Sequence, residues 1–231
     1  MARSTSIYLL RHAQSTANTK GILAGRDNEI GLSQLGFQQA EQVAQALTGK
    51  KFDRILTSPL KRCRETIAPL TAKTPASKKI RPSIARDFIE MDYGHWSGKK
   101  LALLAKKSAW GSIQTAPSRF RFPEGESFEE MRARAIGAVE EQARIGGQVL
   151  IVSHGDVIKM IIAHYLAMAP DAFQRLSIDP ASISRIDFHG DSIRVPVIND
   201  RSHLIAQMSK AIPSASGNRS RLDLGGGAGP R

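Results

Sequence analysis

His12 and His154 each follow directly on a short apolar run, residues 6–10 and 148–152, that ends in a polar turn. Runs of this kind read as buried parallel strands feeding functional loops. In an open parallel sheet such loops gather at one edge, so two histidines about 140 positions apart in the chain can be neighbours in space. Arg11 precedes the first histidine, and Arg62 follows another candidate strand ending at Thr57, which brings both guanidiniums to that edge. A guanidinium stays charged and offers a planar fork of donors suited to phosphoryl oxygens. A lone strand-end histidine is more often a structural hydrogen-bonder, but two histidines matched by two arginines point to phosphoryl transfer.

The chemistry sets further demands. A histidine nucleophile must be neutral at the attacking nitrogen, with its other nitrogen pinned, while cations stabilise the transferring group. The leaving alkoxide needs a proton donor, and the water that breaks a phosphohistidine needs a base. Glu90, in the segment 88–94, is the preferred carboxylate, with Asp92 as the alternative.

The elements that must position these residues are legible in outline. Ser33 is an N-cap for a helix whose apolar positions Ala40, Val43, Ala44 and Leu47 recur at helical spacing until Gly49. Residues 52–57 predict a second strand, and Ser58-Pro59 opens a short helix that should end at Pro69. Residues 78–82 predict a strand, 85–93 an irregular segment, and 92–126 an inserted helical or loop region on the substrate side. Ser127 and Glu130 form a capping box ahead of a helix with Phe128, Met131, Ala135, Ala138 and Gln142 on one face, stopping at Gly146-Gly147. After the strand at 148–152, an apolar helix is expected over 157–168, ended by Pro170. Residues 182–188 and 192–198 pair as a hairpin across His189-Gly190-Asp191. The alternation of strand and helix predicts an α/β protein, a three-layer α/β/α sandwich with a mostly parallel central sheet. Residues 1–207 are expected to form a single domain, and the Gly-, Ser- and Arg-rich stretch 208–231 a disordered tail.

Composition narrows the class. The chain has 231 residues, and no apolar run approaches the roughly 20 residues that span a bilayer, so no membrane association is expected. The apolar stretch before Arg11 is too short for a secretory signal, and Cys63 is the only cysteine; together these fit a cytoplasmic protein. A net charge of +12 favours anionic partners. The lysines and arginines are scattered, with no zinc-finger or RNA-binding motif between them, so they read as a solvated basic surface and not as a nucleic-acid site. His95, His164, His189 and His203 lack metal-ligand spacing, so no metal is expected. The hairpin after Ser182 could join a homodimer.

Four motifs in order resemble those of the histidine phosphatase (phosphoglycerate mutase-like) superfamily. Leu10-Arg-His-Ala-Gln-Ser-Thr-Ala-Asn18 resembles its R-H-G-x-[ST]-x-x-N motif, and Ser58-Pro-Leu-Lys-Arg-Cys-Arg-Glu-Thr66 its S-P-x-x-R-[AC]-x-x-T motif. Glu90-x-x-x-Gly94-x-Trp96-x-Gly98 is similar to its acid/base segment, and Ser153-His-Gly155 to its second histidine motif. The resemblance implies a phosphoglycerate mutase-like fold, phosphorylation of His12, a phosphate pocket completed by Arg11, Arg62 and His154, and Glu90 as proton donor. It also implies auxiliary phosphate contacts from Ser15, Asn18 and the Gly155 amide. One departure is Ala13, where the family usually has Gly, and whose methyl would crowd the phosphate if the position needs an unusual φ.

Within that family the chain departs from the mutases. Ala17 and Arg26 stand where mutases have Trp, and Met91 replaces the Arg that follows their catalytic Glu. The segments around Trp96 and His154 resemble the phosphatase branch, its actinobacterial members especially. The resemblance therefore implies a cofactor-free hydrolase acting on a small phosphomonoester through a phosphohistidine. The alternatives are a mutase dependent on 2,3-bisphosphoglycerate and a non-catalytic binding protein on the same fold.

Overall fold

The computed structural model describes residues 4–73 and 80–204. The tail expected at 208–231 and the first two residues of the strand expected at 78–82 lie outside them. In chain order the elements are β1 Thr5–Arg11, α1 Thr16–Lys20, α2 Gln34–Leu47, β2 Arg54–Thr57, α3 Lys61–Lys73, β3 Ser83–Ile84, α4 Leu101–Leu104, α5 Ser108–Thr115, α6 Phe128–Ile145, β4 Gly147–Ser153, α7 Gly155–Tyr165, β5 Ile183–His189 and β6 Ser192–Asp200. The strands form one sheet in the order β3-β2-β4-β1-β5-β6. The first four are parallel, and the hairpin of β5 and β6 adds to β1 antiparallel, as the sequence pattern predicts.

Both faces of the central strands are covered. Ile7 and Leu9 of β1 and Val149 and Ile151 of β4 join Met131, Ala135 and Val139 of α6 and Val157 and Ile161 of α7. Tyr8, Leu10, Leu150 and Val152 face the other way, onto Ala40, Val43, Ala44 and Leu47 of α2 and Ile67 and Leu70 of α3. Each such side chain contributes roughly 1.5–3 kcal/mol on burial. The result is the three-layer α/β/α sandwich with a mostly parallel sheet. Among the described residues no helix is long and apolar enough to cross a membrane.

Register then levels the strand ends. Arg11 pairs with Ser153 and Thr57 with Val152. Beyond them the His12 amide donates to the Ser153 carbonyl at 2.9 Å, and the Ser58 amide to the Val152 carbonyl at 2.9 Å. Three loops therefore leave the sheet side by side, carrying His12, Ser58 and His154.

Several boundaries differ from expectation. Helix α3 continues through Pro69 to Lys73, because Ile67 and Leu70 on either side of the proline are both buried in the core, and this packing outweighs one missing helical hydrogen bond. The edge strand is Ser83–Ile84; of the segment expected as a strand, the described residues 80–82 lie ahead of it, and Ile80 packs against the core. Strand β2 starts at Arg54, although the Asp53 amide still bonds to the Gln148 carbonyl. Helix α7 stops at Tyr165, ahead of Pro170, where Ala167 adopts a left-handed conformation with φ of 53°. The buried face of α6 is Phe128, Met131, Ala135, Ile136 and Val139, so Val139 takes the place given to Ala138.

The insertion at 92–126 carries α4 and α5 and is pinned by aromatic packing of Tyr93, Trp96 and Phe120 around Phe122, which in turn meets Phe128 of α6. Gly94 is the tight point. Its φ is 48°, and a Cβ there would fall 2.0 Å from the Pro123 carbonyl oxygen and 2.6 Å from the Glu124 carbonyl carbon. Gly94→Ala is expected to destabilise the fold by about 1–3 kcal/mol through overpacking, read as a lower urea midpoint at unchanged slope. An unchanged midpoint would mean that the two loops separate freely.

Candidate active site

His12, His154, Arg11, Arg62 and Glu90 are all buried, and they meet at the carboxyl edge of the sheet. The two imidazoles lie 5.3 Å apart between ring centroids. His12 Nδ1 is 2.7 Å from the carbonyl oxygen of Ala13. A carbonyl can only accept, so Nδ1 carries the proton and the lone pair resides on Nε2. Burial first, then the charges of Arg62 and Arg11, push His12 well below the ordinary histidine range and keep it neutral. A neutral ring with Nε2 unprotonated is what nucleophilic attack requires.

The local sequence explains this arrangement. The Ala13 amide donates to Thr66 Oγ1 at 2.9 Å, and Thr66 Oγ1 donates to the Arg62 carbonyl at 2.7 Å, so α3 fixes the turn after β1. Ala13 does not have a positive φ, and it is fully buried in the core cluster that also holds Leu10 and Ala40. The alanine thus fits this turn without backbone strain.

His154 caps the N-terminus of α7, with Nε2 hydrogen-bonded to Ser58 Oγ at 2.7 Å and Nδ1 3.7 Å from Glu90 Oε2. Burial, and then Arg62, push it well below the ordinary histidine range. Arg62 is held by its Nη2 on the Gly25 carbonyl at 2.7 Å and its Nη1 on the Asp27 carbonyl at 3.2 Å. Its buried Nε has no hydrogen-bond partner among the described residues. Arg11 donates from Nη1 to the Ile178 carbonyl at 2.6 Å. Backbone carbonyls thus orient both guanidiniums.

Glu90 is the carboxylate in the pocket; Asp92, the alternative, is more than one-third exposed and paired with Arg26. Glu90 Oε1 accepts the Met91 amide at 3.0 Å. Burial, and then the neighbouring Asp156 carboxylate, push Glu90 up to about 7, with Arg62 and Arg11 opposing. A carboxyl poised there can give a proton in one step and take one in the next.

The residues expected as auxiliary contacts lie at two helix N-termini. Ser15 and Asn18 form the capping box of α1: the Ser15 hydroxyl and amide both donate to Asn18 Oδ1, and the Asn18 amide donates to Ser15 Oγ. Gly155 is the first residue of α7, so its amide belongs to the turn whose N–H groups have no intrahelical acceptor.

Sequence reasoning passed over Ser58 and Thr66, although both lie inside a quoted motif. The buried Tyr93 hydroxyl donates to Asp156 Oδ2 at 2.7 Å, and Asp156 lies 3.8 Å from Lys159. Cys63 is buried, and burial pushes its thiol up to about 12, which leaves it inert. Among the described residues no group of His, Cys, Asp and Glu could hold a metal ion.

Fold and site together place two histidines, two arginines and a carboxylate side by side at one buried edge of a mostly parallel sheet. Residues 7–201 match the family model of the histidine phosphatase superfamily (branch 1), and the chain belongs to that family. It is 29% identical over 201 residues to a Hydrogenobacter thermophilus protein that carries the name phosphoserine phosphatase 2, covering 85% of this chain and 96% of that one. It is 28% identical to an Erwinia tasmaniensis protein that carries the name phosphoglycerate mutase GpmB, covering 78% and 84%. Among solved structures, Bacillus stearothermophilus YhfR superposes with a TM-score of 0.79 at 26% identity, covering 87% of this chain and 99% of the other.

Proposed function

We propose that the protein is a phosphatase that hydrolyses small phosphomonoesters through a phosphohistidine at His12 Nε2. The observation that carries this reading is the 2.7 Å bond from His12 Nδ1 to the Ala13 carbonyl, which leaves Nε2 as the reactive nitrogen of a neutral ring. Arg11 and Arg62 hold the phosphoryl oxygens, supplying the charge that in other enzymes a metal brings, and His154 completes the pocket. The first amide of α7, at Gly155, adds a donor at a positive helix end. His12 attacks phosphorus in line as the P–O bond to the alcohol breaks, and Glu90 protonates the departing oxygen. Glu90 then takes a proton from water, whose oxygen displaces phosphate from His12. A single buried thiol fits a reducing, cytoplasmic setting.

Hydrolysis is favoured over mutase chemistry because Ala17, Arg26 and Met91 replace residues typical of mutases. The test is phosphate release from a panel of phosphomonoesters with neither metal nor bisphosphoglycerate added, beside an assay for isomerisation of 3-phosphoglycerate. Release without isomerisation is expected. Bisphosphoglycerate-dependent isomerisation without release would make the chain a mutase, and silence in both assays would favour a binding role.

A further inference from the structure

Arg26 stands out because it occupies a position typical of Trp in mutases and because its surroundings connect two parts of the site. Its Nε donates to the Glu90 carbonyl at 2.9 Å. Its Nη2 reaches Glu126 Oε2 at 3.1 Å, and Nη1 reaches Asp92 Oδ2 at 3.2 Å. Glu126 also receives Arg134 through Nε at 2.7 Å and Nη2 at 3.0 Å, and Arg134 donates to the same Glu90 carbonyl at 3.3 Å. Two guanidiniums clamped by one mostly buried carboxylate thus grip the backbone of Glu90. On the other side, Arg26 sits between Gly25 and Asp27, the two residues whose carbonyls hold Arg62.

We infer that Arg26 is a positioning residue that holds the Glu90 carboxyl in register with the phosphate cradle at Arg62. The inference rests on Glu90 being the proton donor. A planar fork is needed because three acceptors lie around one side chain; an ammonium on a flexible stem satisfies them one at a time. A misplacement of about 1 Å costs up to about 10²-fold when it affects the reacting geometry. The loss should therefore fall on the step that needs the proton, and not on substrate binding.

The test uses the full-length protein with Arg26→Gln, Arg26→Lys and Glu126→Gln, each assayed on an alkyl phosphate and on p-nitrophenyl phosphate. Arg26→Gln is expected to lower kcat/KM for the alkyl ester by about 10–100-fold and kcat/KM for the nitrophenyl ester much less, since only the alkyl ester needs the proton in the phosphorylation step that kcat/KM reports. Arg26→Lys should recover only part of this, and Glu126→Gln should lose activity with the same selectivity. In a Glu90→Gln background, Arg26→Gln should cost almost nothing further, because its effect passes through that carboxyl. Equal losses of kcat/KM on both esters, or an undiminished loss in the Glu90→Gln background, would overturn the coupling and leave the phosphatase reading standing. If Glu90→Gln alone lowered kcat/KM equally for both esters, the proton-donor reading would fall and the inference with it.

Discussion

Replacing His12 by alanine is expected to lower turnover of every accepted phosphomonoester by on the order of 10⁴-fold or more, and to abolish an acid-labile, base-stable phosphoryl label on the enzyme. The magnitude follows from what the substitution leaves behind. Arg11, Arg62 and His154 remain to bind the phosphate, so KM should change far less than kcat. His154 cannot take over, since its Nε2 is hydrogen-bonded to Ser58 and its Nδ1 faces Glu90. The wild-type acidic limb carries a second check. Burial and the two arginines depress His12, so the ring stays neutral, and therefore nucleophilic, to a lower pH than an ordinary histidine. Activity limited by His12 should fade only well below the usual histidine range, and the limb is measured as kcat/KM for the free enzyme. Near wild-type turnover in His12→Ala with an intact fold by circular dichroism would remove the covalent mechanism altogether.

The core of this site was legible because its residues sit at strand ends. An apolar run followed by Arg11-His12, and another followed by His154, is a local pattern, and parallel-sheet geometry turns it into spatial proximity. The register of β1, β2 and β4 brings those ends level, as that geometry requires. The hairpin of β5 and β6 and the capping box at Ser127 and Glu130 follow from equally local chemistry. What local pattern could not supply is whatever depends on distant partners. Pro69 ends a helix by propensity, yet the packing of Ile67 and Leu70 carries α3 past it. The edge strand Ser83–Ile84 is held by pairing to β2 and has little apolar signal of its own. The grip of Arg26 and Arg134 on Glu90 joins residues 64 and 44 positions apart, and a lone Arg in a loop reads as a solvated charge.

Glu90→Gln should separate substrates by their leaving groups, and this is the second large effect expected. An alkoxide departs only when protonated, so loss of the donor should cost an alkyl phosphate on the order of 10²–10⁴-fold. A p-nitrophenolate leaves without help, so its phosphorylation step should be nearly spared. The pH profile follows from the position of Glu90 at about 7, set first by burial and then by Asp156. Below about 7 the carboxyl is neutral and can donate; above it the carboxylate forms and donation stops. For the wild-type protein, kcat/KM on an alkyl phosphate should therefore fall as pH rises through about 7, while Glu90→Gln loses this limb because the amide does not titrate. Asp156→Asn should move the same limb to lower pH, since removing the neighbouring carboxylate lets Glu90 ionise more easily. A limb that survives in Glu90→Gln would belong to another group, and an equal loss of kcat/KM for the two esters would place the donor elsewhere. With the donor gone but His12 intact, dephosphorylation loses its base as well, so phosphohistidine should accumulate on p-nitrophenyl phosphate. A burst of nitrophenol ahead of slow turnover would report both roles of the one carboxyl in a single trace.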